Sequence, residues 1–265
     1  MARVLLFGVP KDGETLRKLL DPLRFAGILI SDDAAVYENF SAAQKCWAHL
    51  LRKAIKLTLQ APNRADFRSF TDRLLEIYRK ACRIQRDQRL GDAGRARKVA
   101  LLDDEIFFLC GEMACVDPES AASLDHDFDL LVSEVLRLMM KQELFTFVTA
   151  PPVRLPNGTT KPVDGTNNEG ERTLRSPAQA RDTGRTNKSP AGTRRQTIVT
   201  TVLESLRLYL KTYTLRSVLE ELERWQVNGQ SCFARLLKKL KLPASPSATP
   251  IIDQLFPRPT PNASG

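Results

Sequence analysis

The chain has 265 residues, of which 42% are hydrophobic, so it can bury a core in one large domain or two small ones. Its formal net charge of +9 favours an anionic partner, and nucleic acid is the commonest one, although a merely basic surface is the simpler alternative. Five scattered cysteines exclude a disulfide framework, and no apolar run is long enough to span a membrane. The short apolar stretch near the start lacks a cleavage site, so export is excluded and a cytoplasmic protein is expected.

The chain is predicted to begin with α/β structure. The apolar run at 4–9 is β-branched at both ends and is followed by Pro10, which predicts a strand. A helix is predicted over 13–20, and a second strand over 27–31. Strand, helix and strand in this order are typical of α/β packing, where buried strands are almost continuously apolar.

Helices are predicted for most of the remaining chain. Apolar residues at helical spacing predict helices over 44–59, 64–88, 96–113, 121–142, 196–209 and 215–226. Residues 151–195 are poor in large apolar side chains, which in isolation reads as a disordered linker. The proline-containing stretch 243–265 is expected to be a loose tail.

Asp32 is the first candidate site residue, because it directly follows the second predicted strand. Polar residues at the carboxyl ends of strands in open α/β sheets tend to face the ligand. A carboxylate at that position can hold Mg²⁺, which prefers hard oxygen ligands. The alternative is a loop aspartate that caps the next turn.

Cys46 and His49 are the second candidate pair. Three residues apart on a predicted helix, they share one face and could form half of a zinc site. His126 is the only other histidine and has no cysteine at ligand spacing, so a closed zinc site and a zinc hydrolase are both disfavoured. Spacing alone therefore favours a buried cysteine with a histidine at a packed corner.

The third candidate is the charged segment 167–175. Glu171 and Arg175 would lie one turn apart on a short helix, and more basic residues follow at Arg181, Arg185, Lys188, Arg194 and Arg195. An acidic residue inside a basic segment suits a metal ligand flanked by side chains that neutralise phosphates. The alternative is a solvated loop of mixed charge.

These segments, taken together and in this order, resemble transposases of the insertion-sequence-sixty-six family. The matching text is ISDDAAVY at 30–37, QKCWAHLLR at 44–52 and TNNEGERTLR at 166–175, and the later Gly-Thr-Arg turn at 192–194 and the closing helices also fit. The resemblance spans roughly residues 2–240. Its strength comes from three motifs that are collinear.

The resemblance implies a ribonuclease-H-like domain with an Asp-Asp-Glu triad. By this likeness Asp32, five residues before Tyr37, is the second Asp, and Glu171, directly before Arg172, is the Glu, whereas Glu169 fits less well. Cys46 and His49 match an element of related transposases and are expected to be structural or site-shaping. The basic residues Arg172, Arg175, Arg181, Arg185 and Lys188 would bind DNA.

The resemblance also implies a domain organisation. The expected fold is α/β and predominantly helical: a partial ribonuclease-H-like core at 1–62 whose first strands are missing, a helical insertion at 63–150, a basic Glu-bearing segment at 151–195, C-terminal helices at 196–242 and the tail at 243–265. The family's first Asp would lie upstream of the strand at 4–9. Neither Asp12 nor Asp21 substitutes for it, so an N-terminally truncated or decayed copy is expected.

The implied activity is DNA transposition by metal-dependent strand cleavage and transfer at insertion-sequence ends. In an intact homologue Mg²⁺ or Mn²⁺ would serve as cofactor. With the first Asp missing, this chain is expected to be inactive alone; its partners would be DNA and a further copy or accessory transposition proteins. The alternative is a non-catalytic helical DNA-binding or interaction protein, which needs only the charge and the helices.

Overall fold

The computed structural model of the protein describes residues 5–23, 25–113, 123–154, 159–182, 187 and 189–239. The described chain is predominantly helical, as the sequence predicts. In chain order its elements are α1 (Gly13–Leu19), β1 (Leu29–Ser31), β2 (Ala43–Lys45), α2 (Trp47–Gln60), α3 (Ala65–Arg86), α4 (Asp92–Met113), α5 (Ser123–Met140), α6 (Thr146–Thr149), β3 (Val153–Arg154), β4 (Thr160–Lys161), α7 (Asn168–Asp182), α8 (Pro190–Tyr209), α9 (Leu215–Asn228) and α10 (Cys232–Lys239).

These elements divide between two compact units. The central unit comprises Pro22–Val153 and Lys161–Gly170, and the terminal unit comprises Met1–Asp21, Arg154–Thr160 and Glu171–Gly265. The boundary falls inside β3, β4 and α7. None of the helices in the described ranges is long and apolar enough to cross a membrane.

Four helices form the core of the central unit. α2 contacts α3 and α5, and α4 contacts the same two helices, so the four helices pack against one another as a bundle. The apolar stripe of α3 recurs at helical spacing and is buried at Phe67, Phe70, Leu74 and Ile77. Phe67 stacks on Phe128 of α5 at 4.4 Å between ring centroids. The helices predicted over 64–88, 96–113 and 121–142 are therefore confirmed, with ends shifted by a few residues.

A short parallel strand pair lies beside these helices. β1 and β2 pair in parallel, with Leu29 opposite Ala43 and Ser31 opposite Lys45. β2 corrects the sequence analysis, which placed the start of a helix at Gln44: all three residues of β2 are buried, and Cys46 has an extended backbone, so α2 begins only at Trp47. β1 confirms the strand predicted over 27–31.

The strand predicted over 4–9 is wrong within its described part, residues 5–9. The backbone of this segment, which belongs to the terminal unit, bonds to helix side chains instead of to a strand. The N–H of Leu5 donates to Thr201 Oγ1 at 3.0 Å, Thr201 Oγ1 donates back to the Leu5 carbonyl, and the N–H of Phe7 donates to Thr197 Oγ1. Two hydroxyls of α8 thus replace a partner strand, because a backbone group is satisfied by any well-placed acceptor or donor.

The linker interpretation of 151–195 is also wrong for much of that stretch. α7 occupies 168–182, and α8 begins at Pro190, six residues before the predicted start. Ser189 caps α8 by accepting the N–H of Gly192, and proline fits the first helical position because no hydrogen bond is lost there.

The helices that close the terminal unit are well delimited. Thr214 and Ser217 form a capping box at the start of α9, and Gly229 ends it in the left-handed region at a φ of 64°. α10 was not predicted. The tail predicted over 243–265 lies outside the described residues.

Candidate functional site

The carboxyl edge of the β1–β2 pair places Asp32 and Cys46 near each other. Parallel strands end at the same edge of a sheet, and Asp32 follows β1 as Cys46 follows β2. The N–H of Cys46 donates to the carbonyl oxygen of Ser31 at 2.9 Å, which holds the two strand ends together. Asp32 is half-buried at this edge.

Two cations compensate the charge of Asp33, the residue that follows Asp32. Arg137 of α5 forms an ion pair with one carboxylate oxygen of Asp33, and Lys45 Nζ lies 3.8 Å from the other. The Lys45 side chain is only 3% exposed, and its ammonium also lies within hydrogen-bond distance of Ser31 Oγ and the Asp32 carbonyl. Asp33 therefore neutralises a buried lysine.

Cys46 is a buried residue at the start of α2. It is 1% exposed, and its carbonyl accepts the first N–H groups of the helix, from His49 and Leu50. Its sulfur accepts the N–H of Asn167 at 3.3 Å. His49 is half-buried on the first turn of α2. Among the described residues, no three His, Cys, Asp or Glu side chains come together as a metal-binding group.

Trp47 and Gln44 fix the backbone around this edge. The Trp47 indole is fully buried, stacks on Tyr78 at 5.2 Å and donates to the Leu144 carbonyl at 2.7 Å. The buried Gln44 amide donates to the same carbonyl and accepts the N–H of Phe147. Buried polar groups require such partners, and the side chains of Trp47 and Gln44 have them.

The segment that leads to Glu171 passes directly beside Cys46. Asp164 Oδ1 accepts both the N–H and the hydroxyl of Thr166 at 3.0 Å, which forms a local turn. Gly165 accepts the N–H of Trp47, and a Cβ atom at this glycine would lie 3.2 Å from the Phe147 ring. A side chain at this position would require the Phe147 ring to move by a few tenths of an ångström, so glycine favours this close approach.

Glu169 and Glu171 lie on α7 in different surroundings. Lys161 of β4 forms an ion pair with Glu169 inside the central unit. Glu171 is the first residue of α7 that belongs to the terminal unit, and it is half-buried. Arg175 lies one turn further along α7 and is exposed, as sequence spacing predicts.

The predicted DNA-binding residues lie on or after α7. Arg172 and Arg175 are exposed, and Arg181 lies in the last turn of the helix. Arg185 and Lys188 lie outside the described residues. On α8, Arg195 is exposed and Arg194 is half-buried.

Sequence reasoning missed several residues that shape this edge, chiefly Gln44, Lys45 and Arg137. Lys45 stands inside the motif at 44–52, directly before the cysteine that the sequence already predicts to be buried. Arg137 gave no signal, because its partner Asp33 is 104 residues away along the chain.

The comparison with known families agrees with the motifs at this edge. The family model described as "Transposase IS66 family" matches residues 4–195, which is more than half of the chain. The chain therefore belongs to the IS66 family of transposases. The resemblance seen in the sequence is thereby confirmed as to family, although α9 and α10 lie beyond the matched residues. Searches of the curated proteins and of the solved structures found no match.

Proposed function

We propose that this chain carries part of an active site for DNA transposition, in which Asp32 and Glu171 are two carboxylates of a metal-dependent centre for strand cleavage and transfer. One observation carries the proposal. Asn167, four residues before Glu171, donates its N–H to Cys46 Sγ, and Cys46 in turn donates to Ser31, the residue before Asp32. The segment leading to the Glu thus approaches the strand end that bears the Asp.

Asp32 is the better candidate of the two adjacent aspartates. Asp33 balances the charges of Lys45 and Arg137, and a metal ion bound there would compete with both cations. Asp32 is half-buried at the same strand edge, where a metal ion could reach it. The arrangement supports Asp33 as the residue that holds the strand end in place for its neighbour.

Glu171 is preferred to Glu169 because of its register and the basic residues that follow it. The Glu169 carboxylate already forms an ion pair with Lys161. Glu171 is followed directly by Arg172 and one turn later by Arg175, so phosphate-binding cations stand beside the proposed ligand. This register also agrees with the family likeness.

The fold around this centre is proposed to be a ribonuclease-H-like core. The support is the parallel β1–β2 pair followed at once by α2, with Asp32 at the carboxyl edge. α3, α4 and α5 would then be the helical insertion between the second Asp and the Glu. Such an insertion would account for the 139 residues between Asp32 and Glu171 along the chain.

The donor set fits Mg²⁺ or Mn²⁺ in kind but not in number. Carboxylate oxygens are the hard ligands that these cations prefer. When bound, a pair of such ions supplies Lewis-acid stabilisation of the attacking and leaving oxygens of a phosphoryl transfer. Asp32 and Glu171 provide only two anionic ligands, and no group of three is found in the described part of the chain. We therefore expect weak metal binding and little strand transfer by this chain alone.

DNA would be bound mainly through phosphate contacts. The net charge of +9 supplies the long-range attraction, and Arg172, Arg175, Arg181, Arg185 and Lys188 would neutralise phosphates next to Glu171. The logarithm of the affinity falls with the logarithm of the salt concentration, and each phosphate contact that is removed should make this slope shallower by about 0.9. Replacing Arg172 and Arg175 with alanine tests this expectation, and the exposed Arg68 of α3 offers a matched control.

Metal-directed cleavage of the polypeptide tests the shared centre. Fe²⁺ with ascorbate and peroxide generates radicals at bound ions, and these cut the nearby backbone. We expect cuts near both residue 32 and residue 171 that are suppressed by excess Mg²⁺. Asp32→Asn and Glu171→Gln should each reduce both cuts, whereas Glu169→Gln should reduce neither.

Two results would refute parts of the proposal. Cuts at one segment that do not respond to substitution in the other would mean that Asp32 and Glu171 do not share an ion. Mn²⁺-dependent nicking of plasmid DNA by the pure chain, lost in Glu171→Gln, would refute the expectation that two carboxylates are insufficient.

A further inference from the structure

The outer face of α4 combines apolar side chains with two charges that have no ion-pair partner among the described residues. Leu101, Phe107 and Phe108 are 53, 57 and 64% exposed, although buried residues of the same helix already fill the core on its other side. Three large exposed apolar residues on one helical face are typical of an interaction surface.

Two charges of opposite sign lie on this face of α4, away from the ion pairs that join α4 to α3. Glu105 and Glu112 of α4 form ion pairs with Lys80 and Arg73 of α3. Arg97 and Asp104, two turns or about 10.5 Å apart, have no such pair within the part of the chain that the structure describes. Arg97 and Asp104 are both exposed and lie on the same helical face as the three apolar residues.

The sequence of this face is complementary to itself when reversed. A two-fold axis passing between Ala100 and Leu101 places Arg97 of one copy opposite Asp104 of the other. The same axis places Ala93 opposite Phe108, so a large ring on one helix faces a small side chain on the other. Two-fold interfaces require this property, because each contact must occur twice.

We propose that α4 is a dimerisation helix, which pairs antiparallel with α4 of a second copy of this chain. The apolar residues form the buried centre, and two Arg97–Asp104 ion pairs set the register and the antiparallel direction. Complementary charge selects the partner orientation because the parallel alternative places like charges side by side. This inference is independent of the proposed metal centre.

Charge reversal tests the register of the proposed pair. Arg97→Glu alone brings two carboxylates together at both contacts with Asp104, and Asp104→Arg alone brings two guanidinium groups together at both contacts. Either substitution should raise the dimer dissociation constant at least roughly tenfold, because like charges facing each other are strongly unfavourable. An equimolar mixture of the two variants should associate again as a heterodimer, since both cross-contacts then join opposite charges.

Sedimentation velocity of the nuclease-treated full chain over a wide concentration range measures these equilibria. Lys56→Glu, on the exposed side of α2, is the control for a change of net charge, and far-ultraviolet circular dichroism checks that each variant is folded. Phe108→Ala provides a variant without a charge change, and it should also weaken the dimer. A wild-type chain that stays monomeric, or a dimer that ignores both reversals, would overturn the proposal.

Discussion

Replacing Asp33 with asparagine should destabilise the central unit far more than the same change at Asp32. In the folded state Lys45 Nζ is buried and lies 3.8 Å from Asp33 Oδ1. At that distance and an effective dielectric constant near 20, the charge interaction is worth about 4 kcal/mol before desolvation is subtracted.

The net effect is smaller than this gross value for two reasons. Asparagine keeps an oxygen that accepts hydrogen bonds, and Lys45 retains the Ser31 hydroxyl and the Asp32 carbonyl as neighbours. Because the lysine would nevertheless be left charged and buried, we expect Asp33→Asn to lower the free energy of unfolding by about 2–3 kcal/mol. Asp32→Asn should cost less than about 1 kcal/mol.

Urea denaturation followed by tryptophan fluorescence measures this difference. Trp47 is fully buried in the central unit and reports its unfolding, and urea avoids the screening that guanidinium salts introduce. Lys45→Met in the Asp33→Asn background should recover part of the loss, because it removes the unpaired charge. Equal losses at positions 32 and 33, or no coupling between 33 and 45, would refute this account of the edge.

Three further predictions concern buried polar groups. Burial raises the pKa of Asp103 to about 6, above its ordinary value of 3.8, so ionisation of this carboxyl destabilises the fold as the pH rises through this interval. Asp103→Asn should therefore raise the free energy of unfolding by about 1 kcal/mol at pH 7 but not near pH 3.5. An equal gain at both pH values in urea titrations would contradict this cause. Glu221 is 3% exposed, forms ion pairs with two arginines and accepts a backbone N–H. Glu221→Gln should therefore destabilise the terminal unit by about 3 kcal/mol and speed amide exchange in α10. Unchanged exchange in α10 would show that these contacts are dispensable. Thr197→Val combined with Thr201→Val should leave the α8 amides protected but speed exchange at residues 5 and 7, whose amides should otherwise stay slow.

The elements that could be predicted from sequence are those whose signal is local. The apolar stripe of α3 repeats over several turns, so both its helical state and its buried face follow from spacing. The start of α8 also has a local signal, because Ser189 before Pro190 is a typical helix-start pair. The polar composition of the surrounding stretch nevertheless favoured a linker at this position.

The elements that could not be predicted depend on distant contacts. The segment 5–9 has the composition of a strand, yet its backbone partners are two threonines on α8, nearly two hundred residues later. β2 has only three residues, Ala-Gln-Lys, none of which favours a strand. β2 is buried by β1 and by the turn around Leu144, and neither contact can be predicted from the residues of β2 itself.

The candidate site divides in the same way. The position of Asp32 at a strand end followed from the apolar run before it, and the helix that places Arg175 one turn after Glu171 followed from spacing. The different role of Asp33 did not follow, because Lys45 and Arg137 reach it through the fold. Two adjacent aspartates look alike in a sequence, and the contacts of Asp33 with Lys45 and Arg137 become visible only in the fold.

Cys46 shows why a spacing that suggests metal binding can serve another purpose. Three residues before His49, it resembles half of a zinc site, yet its sulfur is buried and accepts the N–H of Asn167. A cysteine suits this role because it behaves as a small apolar residue that still offers a weak acceptor, whereas a serine hydroxyl would need a further partner in the same buried space. Through its N–H and its sulfur, Cys46 joins two chain segments, the strand that ends at Ser31 and the segment that leads to Glu171.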